Sequence, residues 1–103
     1  DAKVVGFVSY GDFRDPATIA GEIIALYVLK DYYGKGVGHQ LMQAAFAALD
    51  SYPEILLWVL EDNKRAIAFY GKMGFVFDGE EKVIDLGKAV KEKRMIYMRN
   101  SNS

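Results

Sequence analysis

Gly21-Glu22-Ile23-Ile24-Ala25-Leu26-Tyr27-Val28-Leu29-Lys30-Asp31-Tyr32-Tyr33-Gly34-Lys35-Gly36-Val37-Gly38-His39-Gln40-Leu41-Met42 decides the fold. An apolar strand runs into three glycines at alternate positions, and an amphipathic helix begins where the glycines end. Several backbone N–H groups and the positive end of that helix then aim at one point in space. An anionic group is expected there.

Downstream, Leu41, Met42, Ala45, Phe46 and Leu49 recur at helical spacing, so the first helix runs from the glycines to about Asp50 with one apolar stripe. Ser51-Tyr52-Pro53 ends it, because proline disfavours helical geometry in the residue before it. Ile55 to Leu60 is a second fully apolar strand. A helix between two such strands makes a βαβ unit with parallel strands. The strand from Glu22 to Leu29 does not alternate apolar with polar residues, which predicts burial on both faces and a central place in the sheet.

Upstream, Lys3 to Gly11 reads as a strand, and Asp12 to Thr18 as a hairpin loop rich in turn residues. The next strand begins near Thr18 and bends or ends at Gly21. Past Leu60, Asp62 or Asn63 caps a second helix carrying Ala66, Ile67, Phe69, Tyr70 and Met73, which stops at Gly74. Phe75 to Phe77 is a short strand closed by Asp78-Gly79. The charged run from Glu80 to Arg94 is expected to be a long connection, Met95 to Met98 a last strand, and residues 100–103 a frayed tail.

A length of 103 residues predicts one domain, and 51% hydrophobic with 26% charged residues is ordinary for a globular protein. A net charge of −1 gives no general attraction to nucleic acid or to an acidic membrane. The absence of cysteine excludes thiolate chemistry, and the single histidine, His39, excludes a multi-histidine metal centre, so no metal is expected. No apolar run is long enough to span a bilayer and no signal-like segment opens the chain, which predicts a cytoplasmic location. The chain opens on Asp1 and is strand-like by Lys3, as expected of a fragment or of a chain whose start was removed.

The glycine turn fits neither common phosphate loop. In a Walker loop the lysine precedes serine or threonine, but Lys35 precedes Gly36. The dinucleotide fingerprint Gly-x-Gly-x-x-Gly also fails, since Gly34 and Gly36 are followed by Val37, Gly38 and His39. A tight β-to-α turn with no ligand is the alternative, and glycines alone do not decide between them.

A second segment does. The turn around Tyr33, Gly36 and Gly38, followed by Asn63, Ala66, Tyr70, Gly74 and Phe75 in this order and spacing, closely resembles the two signatures of the GNAT (GCN5-related) N-acetyltransferases. The likeness covers Glu22 to Phe77 and is nearest to bacterial small-amine and polyamine acetyltransferases. It implies an α/β (α+β) acyl-CoA N-acyltransferase-like mixed sheet, with central strands flanking the βαβ unit. It also implies that the family's first strand and first two helices are missing before Lys3. The implied reaction moves an acetyl group directly from acetyl-CoA to a primary amine of a small molecule or a protein. Because the missing elements shape the acceptor side, the second reading is a CoA-binding or interaction module without turnover. The strand at Lys3 is then left at an open edge, where a second copy of the chain could pair.

The resemblance also assigns roles. Backbone groups of Leu26 and Val28, with Tyr27 between them, face the thioester and the pantetheine arm. Gly34, Lys35, Gly36, Val37 and Gly38 surround the pyrophosphate. Tyr33 stands where the family has arginine or glutamine, leaving the backbone to hold the phosphates. Asn63 contacts the pantetheine arm or only caps its helix. Glu22 is either the base, directly or through water, or a solvated strand-end carboxylate that attracts a cationic amine. Glu61 and Asp62 could share that work. Tyr70 protonates the leaving thiolate, packs inside the second helix, or does both.

Overall fold

The computed structural model describes residues 4–99 except Arg14 and Pro16. The elements are β1 (Gly6–Asp12), β2 (Gly21–Val28), a 3-10 turn (Lys30–Tyr32), α1 (Val37–Ala48), β3 (Glu54–Leu60), α2 (Lys64–Lys72), β4 (Val76–Asp85) and β5 (Ala89–Met98). The strands form one mixed sheet in the order β1-β2-β3-β5-β4. β2 and β3 pair in parallel across the expected βαβ crossover, and the other neighbours pair antiparallel. Lys3 and the tail 100–103, where the sequence predicts a strand start and fraying, lie outside the described residues.

α1 lays its apolar stripe on the sheet. Met42, Ala45 and Leu49 meet Ile23, Ile55, Leu57, Val59, Phe75 and Met95 in one core. Burying each large side chain of that set stabilises the fold by about 1.5–3 kcal/mol. Carbonyls at and just beyond the end of α1 accept from the far end of the chain. The Arg99 guanidinium donates to Phe46 O (2.8 Å), Leu49 O (3.0 Å) and Tyr52 O (2.9 Å). A cation there also complements the negative pole of the helix. At the start of α2, Asn63 rather than Asp62 is the cap, its Oδ1 accepting from Ala66 N at 3.1 Å.

β2 departs from the expectation of burial on both faces. Gly21, Glu22 and Ile23 are buried, but Ile24, Ala25 and Tyr27 are exposed. The cause is a bulge. Ser9 pairs with Ala25 and Tyr10 with Ile23, so Ile24 has no opposite number on β1. The parallel pairing to β3 stops at the same point, after Ile23↔Leu57. A bulge bends its strand and raises the local twist. From Ile24 onward β2 leaves β3 and keeps only β1 beside it.

The charged run is also corrected. Glu80 to Arg94 is not a long connection but most of the β4–β5 hairpin, turning at residues 86–88. Its charges alternate in sign across the ladder: Lys82 faces Glu92 (3.6 Å), and Lys91 reaches Glu81 (3.4 Å). Such exposed cross-strand pairs give roughly 0.2–1 kcal/mol each, enough to suit a solvated hairpin. An irregularity between Phe77 and Glu81 separates the hairpin's two paired stretches, and there Asp78 accepts from Arg94 Nε at 2.6 Å.

Candidate cofactor cleft

The divergence of β2 from β3 opens a cleft of about 650 Å³ between the second half of β2, the start of α1 and one side of α2. Its strand wall is Leu26, Tyr27 and Val28. Backbone direction alternates along a strand. Leu29 N donates to Val5 O on the β1 side (2.8 Å), so the polar backbone groups of Tyr27 also turn to β1. Those of Leu26 and Val28 turn the other way, into the gap that β3 has left.

The second wall is the glycine turn. Tyr33, Gly34, Gly36, Val37 and Gly38 line the cleft, and Lys35 is exposed and does not. Gly34 and Gly36 have φ of +76° and +82°, which L side chains adopt only with strain. Gly36 precedes the first residue of α1, so the free N–H groups of that helix begin at the turn. Gly38 answers a different need. A Cβ there would stand 3.3 Å from the Phe69 ring, so its absence lets α1 and α2 approach at the floor of the cleft.

α2 supplies the third wall, through Asn63, Arg65, Ala66, Phe69, Tyr70 and Lys72. With its Oδ1 engaged in the cap, Asn63 keeps its amide N–H groups as donors. Tyr70 is half-buried, with ring neighbours Phe69 (5.6 Å between centroids) and Phe75 (5.9 Å). Burial pushes its hydroxyl above the ordinary tyrosine value of 10.0, so it is protonated at neutral pH.

Glu22 lies elsewhere. It is 2% exposed, in the paired half of β2. Gly21 meets Leu49 and Tyr52 and Ile23 belongs to the α1 core, so the intervening Glu22 projects from the opposite face of the sheet. It is not a solvated strand-end carboxylate. Glu61 and Asp62 border a separate hollow of about 400 Å³, and Glu61 pairs with Lys93 at 3.6 Å. Among the described residues no carboxylate lines the cleft, whereas Arg65, Lys72 and His39 do. Among the described residues no group of three metal-ligating side chains gathers.

Sequence reasoning missed Arg65 and Phe69 as cleft residues. Arg65 follows the cap Asn63 by two positions, inside the second signature, and its guanidinium lies 3.7 Å above the Tyr33 ring. The signal that could have found it is a cation in the first turn of a helix, where the helix dipole disfavours one.

Residues 1–75 match the model of the acetyltransferase (GNAT) family. The chain is similar to the peptidyl-lysine N-acetyltransferase YjaB of Salmonella typhimurium, 38% identical over 73 residues, covering 71% of this chain and 48% of the relative. It is also similar to a Bacillus subtilis subsp. natto protein named "Probable spermine N(1)-acetyltransferase", 33% identical over 87 residues, covering 78% of this chain and 57% of the relative. Among solved structures, a Bacillus anthracis protein described as a candidate streptothricin acetyltransferase, in complex with acetyl coenzyme A, superposes with a TM-score of 0.77 at 25% identity. That likeness covers 93% of this chain and 56% of the other. The chain thus spans about half the length of the curated relatives it matches. On the matched residues, the two signatures and the shared mixed sheet, it belongs to the GNAT family of acetyltransferases.

Proposed function

We propose that the cleft binds acetyl-CoA and that the protein transfers the acetyl group to a primary amine. One observation carries this reading: the backbone of Leu26 and Val28 is unclaimed by β3 and stands beside the amino end of α1, in a cleft that no described carboxylate lines. An extended pantetheine arm adds to β2 as a short extra strand would, bonding Val28. The diphosphate takes the N–H groups from Gly34 to Gly38, and the Asn63 amide donates to the arm.

The chemistry follows from those placements. An alkylammonium with a pKa of about 10.4 must lose a proton before its nitrogen can attack. The neutral amine adds to the thioester carbonyl, and the oxygen that becomes negative accepts from Leu26 N–H. The C–S bond then breaks, the thiolate takes the Tyr70 proton, which burial keeps in place at neutral pH, and the proton shed by the acylated nitrogen restores Tyr70 through solvent. Glu22 stands four residues before Leu26, at most about 13 Å along the strand. Its buried position therefore favours a relay through water over direct contact with the amine.

The two relatives are named for peptidyl-lysine and for spermine, and both groups present a primary alkyl amine. The acceptor proposed here is that amine, on a polyamine-like molecule or on a protein. A cytoplasmic location, with its acetyl-CoA supply, goes with this reading. The edge strand β1 is where a second copy would add if the protein dimerises.

The test incubates the protein with acetyl-CoA and a panel holding spermine, spermidine and a lysine peptide, and follows acetylated products by mass spectrometry. Product on at least one amine is expected, lost with Tyr70→Phe and reduced by Glu22→Gln more than CoA affinity is. Binding of CoA with no product on any amine would leave the module without turnover as the correct reading.

A further inference from the structure

Position 33 carries a tyrosine, and the two lysines of the loop before α1, Lys30 and Lys35, both lie outside the cleft, so that loop brings no side-chain cation to a diphosphate there. We infer that Arg65 of α2, stacked on Tyr33, supplies the guanidinium that grips the diphosphate of CoA. This inference rests on the acetyl-CoA reading of the cleft and names a binding residue within it.

The geometry carries the argument. The Arg65 guanidinium carbon is 3.7 Å from the centre of the Tyr33 ring, and both residues line the cleft. A guanidinium stacked on a ring is fixed in plane, yet its N–H edge stays free for the paired bonds that phosphate oxygens accept. Among the described residues no carboxylate pairs with Arg65, so none of them claims this edge.

Helix stability does not explain the placement. Arg65 and Lys64 sit in the first turn of α2, which holds no acidic residue, and cations at that end oppose the helix dipole. A dianionic ligand lying between the starts of α1 and α2 removes the conflict. Tyr33 thereby acts as a positioning residue: its ring holds Arg65 across the mouth of the glycine turn, joining α2 to a phosphate site otherwise built by α1.

The experiment measures dissociation constants of the whole chain for CoA, for dephospho-CoA (diphosphate kept, 3′-phosphate gone) and for pantetheine (neither). Arg65→Ala should weaken CoA and dephospho-CoA alike, by about tenfold or more, and leave pantetheine unchanged. Arg65→Lys, which keeps the charge but not the planar fork, should recover only part of the loss. Tyr33→Ala should weaken both nucleotides less than Arg65→Ala does. Tyr33→Arg placed in the Arg65→Ala background should restore affinity, since it returns a guanidinium to the same mouth. Both side chains are exposed and Arg65 opposes the dipole of α2, so the melting temperature of the free protein should not fall appreciably in any variant. An unchanged CoA affinity in Arg65→Ala overturns the inference, as does a loss confined to CoA with dephospho-CoA unaffected. Failure of the wild-type chain to bind CoA at all would instead overturn the reading of the cleft, so the two failures are distinct.

Discussion

The two halves of β2 belong to one strand and are opposite in circumstance. Gly21 to Ile23 has neighbours on both edges and is buried, whereas Ala25 to Val28 has β1 on one edge and a cleft on the other. One unmatched residue, Ile24, separates them. The first half holds the sheet together and the second presents backbone to a ligand. A run of apolar residues can therefore mean core or binding wall, and the ladder tells which.

The largest expected effect breaks the comparison on the stability side. Leu57→Ala, opposite Ile23 in the paired half, should cost about 3 kcal/mol and lower the melting temperature by roughly 10 °C or more. Truncation in the open half, Tyr27→Ala, should cost under about 1 kcal/mol, because that ring is 50% exposed. Equal losses would mean that the two halves are not energetically distinct.

Loss of the three bonds from Arg99 comes next. Arg99→Ala should cost about 2 kcal/mol in urea unfolding, since it uncovers the end of α1 while leaving the cleft intact. CoA affinity should not change, which would separate the end of α1 that supports the core from the end that meets the ligand.

Tyr70 sharpens the comparison through pH. Its folded pKa is raised by burial, so the stability it contributes is complete below the ordinary value near 10.0 and is lost as pH rises through the folded value. Alkaline unfolding above pH 10 should therefore be shallower in Tyr70→Phe than in the wild type, when followed by circular dichroism. A steeper transition in the variant would contradict the burial. The smallest effect belongs to the hairpin. A double-mutant cycle on Lys82 and Glu92 should give a coupling of about 0.2–1 kcal/mol, falling with added salt.

Much of this was legible in residues. The stripe Leu41, Met42, Ala45, Phe46 and Leu49 found α1, and two apolar runs around it found the parallel pair. The family resemblance named Tyr33, Gly36, Gly38, Asn63 and Tyr70, and these residues line one cleft. The β4–β5 hairpin escaped notice because its strands are held by charge pairs and not by an apolar face, so the usual period-two signal is faint. The bulge at Ile24 escaped because it is a property of pairing between two strands, and no residue type in β2 announces it. Arg65 escaped because stacking on Tyr33 joins positions 32 residues apart, which helix spacing cannot show.

Amide hydrogen exchange across β2, with and without CoA, tests the central claim most directly. Without ligand, Leu26 and Val28 should exchange faster than Ala25 and Tyr27, whose N–H groups already face β1. Saturating CoA should slow Leu26 and Val28, along with the amides from Gly34 to Gly38, and leave Ala25 and Tyr27 as they were. Protection that ignores this alternation, or that falls on β4 and β5 instead, would contradict it.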